Sequence, residues 1–190
     1  MKKQRKNAGF SLIEMMCTLL ILVLLVMAIG VGMDAGGRVY KEATFEAESA
    51  TLAGILNTAM GDILRYCEVK DVLSATEQAE LGVSNANFRF MCDYNYGVDD
   101  AYFYIPPHKS GGYKGVLKIM HEKDNKLVDT ELVNTGAYPD LLVSDLYVEY
   151  HERNADGVGG GYFEIEYTIS SASDNTKTRD VKNIVRLMND

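Results

Sequence analysis

From Met15 to Met33 the chain runs for 19 residues without a charged side chain. As a helix that run is about 28 Å long at ~1.5 Å per residue, close to the ~30 Å hydrocarbon thickness of a bilayer. A basic head, Lys2, Lys3, Arg5 and Lys6, leads into Ala8 and Gly9. Between head and apolar run stand Phe10, Ser11, Leu12, Ile13 and Glu14. Any fold for this chain has to accommodate that rod first.

Membrane length alone does not explain Glu14. A charged side chain costs about 2.5–3.5 kcal/mol or more at the centre of a bilayer, and less near the interface. A plain anchor has no use for the carboxylate. A secretory signal peptide has a shorter apolar region, about 7–15 residues, followed by an A-x-A-like site. Here the run is longer and Ala28-Ile29-Gly30 matches that site poorly.

Gly9 followed by Phe10-Ser11-Leu12-Ile13-Glu14, after a basic leader and before an apolar run, resembles the N-terminus of type IV prepilins and pseudopilins. The resemblance covers about 30 residues. It implies that a leader peptidase cuts between Gly9 and Phe10 and that Phe10 becomes an N-methylated N-terminus. It also implies that Glu14 is the family's acidic position, which meets the terminal amine of a neighbouring subunit and sets the axial register of a filament. Cleavage would remove four cations and create one amine at the membrane edge. A carboxylate within reach of that amine costs less than a lone one, because each favours the charged form of the other. The implied partners are other pilin subunits, a prepilin peptidase/N-methyltransferase, an assembly ATPase and an inner-membrane platform protein.

A nine-residue leader and a membrane segment of roughly 25 residues leave about 155 residues, enough for one domain core. The expected divisions are a leader at 1–9, a membrane and filament-core helix at 10–33, an amphipathic helix at 34–70 and an antiparallel sheet region at 71–190. Without the leader the chain carries 15 basic and 27 acidic residues, a net charge of −12. Such a domain does not seek nucleic acid directly, since that needs a cationic surface. Basic residues before the span and an acidic region after it place the leader in the cytoplasm and the domain outside. After assembly the subunit would sit in a cell-surface or periplasmic filament.

Residues 30–37, GVGMDAGG, hold four glycines, each costing up to about 1 kcal/mol in a helix interior. The helix is expected to weaken there, as a flexible juncture or as a segment that unwinds on filament packing. From Arg38 to about Val69 a helical stripe returns. Phe45, Leu52, Ile55, Leu56, Ala59, Met60, Ile63, Leu64 and Cys67 recur at three- and four-residue steps. Such a stripe packs a sheet. Ser74 and Glu77 stand at capping-box spacing, predicting a short helical turn and loop over 74–87.

Strand signals dominate after that. Phe88, Phe90 and Cys92 alternate with polar neighbours, and Ala101-Tyr102-Phe103-Tyr104-Ile105 ends at Pro106. Strands at 116–121 and 127–133 flank Lys123-Asp124-Asn125-Lys126, a hairpin turn. Further strands are predicted at 142–151, 162–170 and 181–188. Short connections favour an antiparallel meander with one face on the helix stripe. The fold class is therefore α+β, a long two-part helix on an antiparallel sheet, which is similar to the pilin architecture.

Chemistry-bearing motifs are sparse. His108, His121 and His151 are scattered, and Gly159-Gly160-Gly161 lacks the helix and lysine of a phosphate loop. No enzyme, cofactor or metal is expected. Asn154-Ala155-Asp156-Gly157 offers oxygen ligands but departs from EF-hand spacing, so a β-turn is preferred to calcium. Cys17 lies in the apolar run and reads as a packing residue. Cys67 and Cys92 fall in the part expected to be exported, where an oxidising compartment favours a disulfide. Two unlinked thiols are the alternative. Tyr94, Tyr96, Tyr102, Tyr104 and Tyr113 read as sheet residues before contact residues.

The sequence therefore points to a type IV pilin-like filament subunit, with a minor pilin or a pseudopilin preferred to a major pilin. The alternative is a single-pass anchored extracytoplasmic binding protein that never polymerises.

Overall fold

The computed structural model describes residues 10–72, 76, 88–92, 98–106, 114–123, 126–152 and 161–188. The chain divides into two compact units, Met1–Thr44 and Phe45–Asp190. One helix, α1 (Leu12–Leu64), contributes to both.

In the first unit α1 is helical through residues 30–37, where weakening was expected. A Cβ built on Gly30, Gly32, Gly36 or Gly37 meets nothing within 4 Å. Nucleation is the expensive step in a helix, and a long flanking ladder has already met it. A glycine penalty of about 1 kcal/mol each is then too small to break the ladder.

In the second unit α1 ends at Leu64, five residues short of the helical signal read to about Val69. Its last carbonyls find partners. Arg65 N donates to Gly61 O, Cys67 N to Leu64 O, and Met188 N to Arg65 O. The following residues form β1 (Glu68–Val72), which pairs with β2 (Phe88–Cys92). Cys67 continues the helical period, but Val69 and Val72 are β-branched and the β2 ladder supplies their backbone bonds. Residues 77–87 and the turn expected from Ser74 lie outside the described residues.

The remaining strands are β3 (Val98–Tyr104), β4 (Lys114–Gly115), β5 (Lys118–Lys123), β6 (Lys126–Glu131), β7 (Leu141–His151), β8 (Tyr162–Ser171) and β9 (Thr178–Arg186). All strand pairings among the described residues are antiparallel, but the strands make two sheets where a single meander was expected. One is five-stranded in the order β1-β2-β3-β5-β6, and the other four-stranded in the order β4-β7-β8-β9. The split falls between β6 and β7, and the short β4 joins the second sheet. It leaves the run between β3 and β5 to pair Lys114 with Ser144 and Gly115 with Val143. Lys123 opposes Lys126 across the β5–β6 hairpin, which leaves two residues for its turn.

The apolar stripe of α1 is the core of this unit. Leu52, Leu56, Met60, Ile63 and Leu64 are buried in one cluster with residues of both sheets. From β8, Phe163, Ile165, Tyr167 and Ile169 face inward, while Glu164, Glu166 and Thr168 are half-exposed between them. That is the period-two alternation of a strand with one dry face. Each large side chain fully buried here contributes about 1.5–3 kcal/mol. Two details depart from the stripe: Ile55 is exposed, and Asn57 is half-buried. Tyr167 Oη donates to Asn57 Oδ1 at 3.0 Å and lies 3.3 Å from Ala53 O. Burial pushes that phenol above its ordinary pKa. In β7 a bulge between Ser144 and Tyr147 puts Asp145 at φ 54°. The extra residue returns Leu146 and Val148 to the core face occupied by Val143.

Candidate functional site

The head of α1 is where the candidate residues gather. Ser11 precedes the helix and Glu14 lies in its first turn. Ser11 N donates to Glu14 Oε2 at 2.9 Å, and Glu14 N donates to Ser11 Oγ at 3.3 Å. This reciprocal pair is a capping box, which satisfies two backbone donors that a helix start would otherwise leave bare. Thr18 Oγ1 adds a bond to Glu14 O at 2.7 Å. Glu14 thus has a partner inside its own chain, and the expectation that a plain anchor has no use for it is corrected. A carboxylate at a helix N-terminus also meets the favourable end of the helix dipole. What remains unusual is its full charge beside an apolar rod.

Beyond Glu14 no other described element of its own unit covers the helix. Large apolar side chains from Phe10 to Met33 range from 47% exposed at Val23 to 83% at Leu12. α1 is the one described helix long and apolar enough to cross a membrane. Cys17 is exposed among these side chains. Gly9 lies outside the described residues, and Phe10 stands exposed just before the capping box.

The other candidates are spread through the second unit. Cys67 is buried just past the end of α1 and Cys92 closes β2. Tyr102 and Tyr104 are buried in the sheet role read for them, whereas Tyr94, Tyr96 and Tyr113 lie outside the described residues. His108 and Asn154-Ala155-Asp156-Gly157 also lie outside them. His121 is in β5 and His151 in β7, as expected of strand histidines.

The outer face of the four-stranded sheet carries the densest charge. Lys182 reaches both Glu164 and Glu166, the latter at 2.8 Å. Those bonds raise the ammonium above its ordinary pKa, and the Lys182 hydrogen bond holds Glu164 below the usual carboxylate range. His151 stacks on Tyr162 with ring centroids 4.6 Å apart, and its Nε2 lies 3.7 Å from Glu149 and 3.8 Å from Glu164. On the five-stranded sheet Lys118 bonds Asp129 at 2.6 Å, holding that carboxyl low. Burial first, and then Asp129, pushes the Tyr104 phenol up to about 12. Among the described residues no three His, Cys, Asp or Glu side chains are grouped to hold a metal. These are cross-strand charge networks, in which ion pairs register neighbouring strands.

Residues 4–30 match the prokaryotic N-terminal methylation motif, which is characteristic of type IV pilin and pseudopilin precursors. No curated protein and no solved structure matches the chain. The motif spans Arg5 and Lys6 of the basic head, Gly9, Phe10, the capping box and most of the uncharged run. Chains that carry it are structural rather than enzymatic. The motif implies processing by a prepilin peptidase and assembly with other pilin subunits.

Proposed function

We propose that this chain is a minor pilin or pseudopilin, cut between Gly9 and Phe10, N-methylated at Phe10, and assembled through α1 into a pilus or a secretion or competence pseudopilus. The observation that carries the reading is the motif at 4–30 on a helix whose apolar side chains find no cover in their own unit. Apolar surface on that scale needs either lipid or other copies of the same helix. The precursor would wait in the bilayer as a single-pass protein, with residues 1–9 in the cytoplasm, 10–33 in the membrane and the remainder outside. An assembly ATPase and a membrane platform would lift each subunit.

In this mechanism Glu14 has two tasks that differ in what they require. Capping needs a hydrogen-bond acceptor at this position, and glutamine serves there as well as glutamate. Registering a neighbour's terminal amine needs the negative charge. Glu14→Gln separates the two: it keeps the cap and removes the charge. The expected outcome is a processed, membrane-held, helical subunit that no longer enters filaments, read by shearing and blotting. A Glu14→Gln chain that enters filaments at the wild-type level supports a purely capping role, whereas a wild-type chain that never enters filaments supports the anchored, non-polymerising alternative.

A further inference from the structure

We infer that Cys67 and Cys92 form a disulfide that closes the mouth of the β1–β2 pair and fastens the five-stranded sheet to the end of α1. The register carries the inference. Glu68 opposes Met91 and Val69 opposes Phe90, an unbroken antiparallel step. Extended one residue beyond the end of β1, the same register sets Cys67 opposite Cys92. The irregularity of this ladder falls on the far side, between Val69 and Asp71, while the other edge of β2 shifts register against β3 between Phe90 and Cys92. Directly opposed residues of an antiparallel pair have Cα atoms about 4.5–5.5 Å apart and share one face of the ladder. That separation lies inside the roughly 4.4–6.8 Å span that a disulfide bridges.

The surroundings favour a structural bond over a reactive thiol. Cys67 is buried within the core cluster, and its Sγ donates to Leu64 O at 3.2 Å, a bond that oxidation gives up. Cys17 is on the other unit, in the apolar run. The chemistry is thiol–disulfide exchange: two thiols lose two protons and two electrons to an exogenous disulfide, which leaves as two thiols. In the cell the donor would be an exported protein disulfide, so the bond there rests on the proposed export of the Phe45–Asp190 unit.

The test uses the full chain in detergent, first reduced and then equilibrated with oxidised and reduced glutathione. Thiols are then trapped by alkylation in denaturant and the peptides mapped without reduction. The expected result is a Cys67–Cys92 linked peptide with Cys17 alkylated. Reduction should lower the thermal midpoint by about 6–12 °C in the wild type and leave Cys92→Ser unmoved. Failure of the pair to form, or its replacement by mixed disulfides with glutathione, overturns the inference. The same mapping on chain taken directly from membranes separates the two claims. A pair that forms in glutathione but is reduced in the cell upholds the geometry and counts against export.

Discussion

The two parts of α1 share one backbone ladder and ask for different surroundings. In the first unit, residues 12–44 show their apolar side chains to the exterior. In the second, residues 45–64 bury a stripe against both sheets. The hydrogen bonds of a helix are local, so the ladder continues across the change. Side-chain burial is not local, and it decides what each part needs. The second part is satisfied by its own chain. The first leaves its apolar side chains exposed within its own unit.

The largest effect that sharpens this contrast comes from truncating equivalent leucines. Leu56→Ala in the buried part should cost about 2–5 kcal/mol in denaturant unfolding of the full chain in detergent. Leu20→Ala in the exposed part should leave that transition within about 0.5 kcal/mol, because its side chain is 62% exposed. Equal losses would break the comparison.

Tyr167→Phe tests how the buried part is held. It removes the phenol that reaches Asn57 Oδ1 and leaves that amide oxygen without the bond. A loss of about 1–2 kcal/mol is expected, with little change in the ring packing. No change would mean that the stripe is held by apolar contact alone.

Glycines draw the same contrast with a smaller effect. Gly36→Ala should raise helix stability by about 1 kcal/mol without a clash, since a Cβ there has open space. Circular dichroism of the detergent-held chain reads the gain. If residues 30–37 unwind when subunits pack, the same variant should assemble less well while being more helical. Better helix with unchanged filament yield would show that the glycines serve neither juncture nor unwinding.

The smallest effect is electrostatic and confined to the second unit. Lys118 and Lys182 hold Asp129 and Glu164 low, so both carboxylates contribute fully above their ordinary range near pH 4 and lose that contribution as pH falls through their depressed values. Lys182 is raised, so its share is complete below its ordinary value near 10.4 and disappears as pH climbs through the raised one. Thermal midpoints should therefore form a plateau from about pH 5 to 10 and decline on both sides, modestly, because these groups are exposed and screened. A steep slope inside the plateau would contradict the assignment.

Much of this was legible in the residues. An uncharged run, a 3.6-residue stripe and the alternation of β8 are periodic signals that report burial directly, and each maps onto an element of the stated type. The Ser11-x-x-Glu14 spacing also carried the capping box, although the cost of charge in a membrane drew attention away from it. Three features left no local trace. β1 was hidden because Cys67 extends the helical period by chance, and only pairing with β2 ends the helix. The edge strand β4 has two residues, too few for any pattern. The Asn57–Tyr167 bond joins positions 110 residues apart, and a polar residue on a helix gives no sign of what will reach it.

The most direct measurement is the intact mass of the chain recovered from membranes of cells that make it. The account predicts a polypeptide that begins at Phe10 and is one methyl group heavier than its sequence. A polypeptide that keeps Met1 and the basic head, or that begins after the apolar run near Val31, would contradict it.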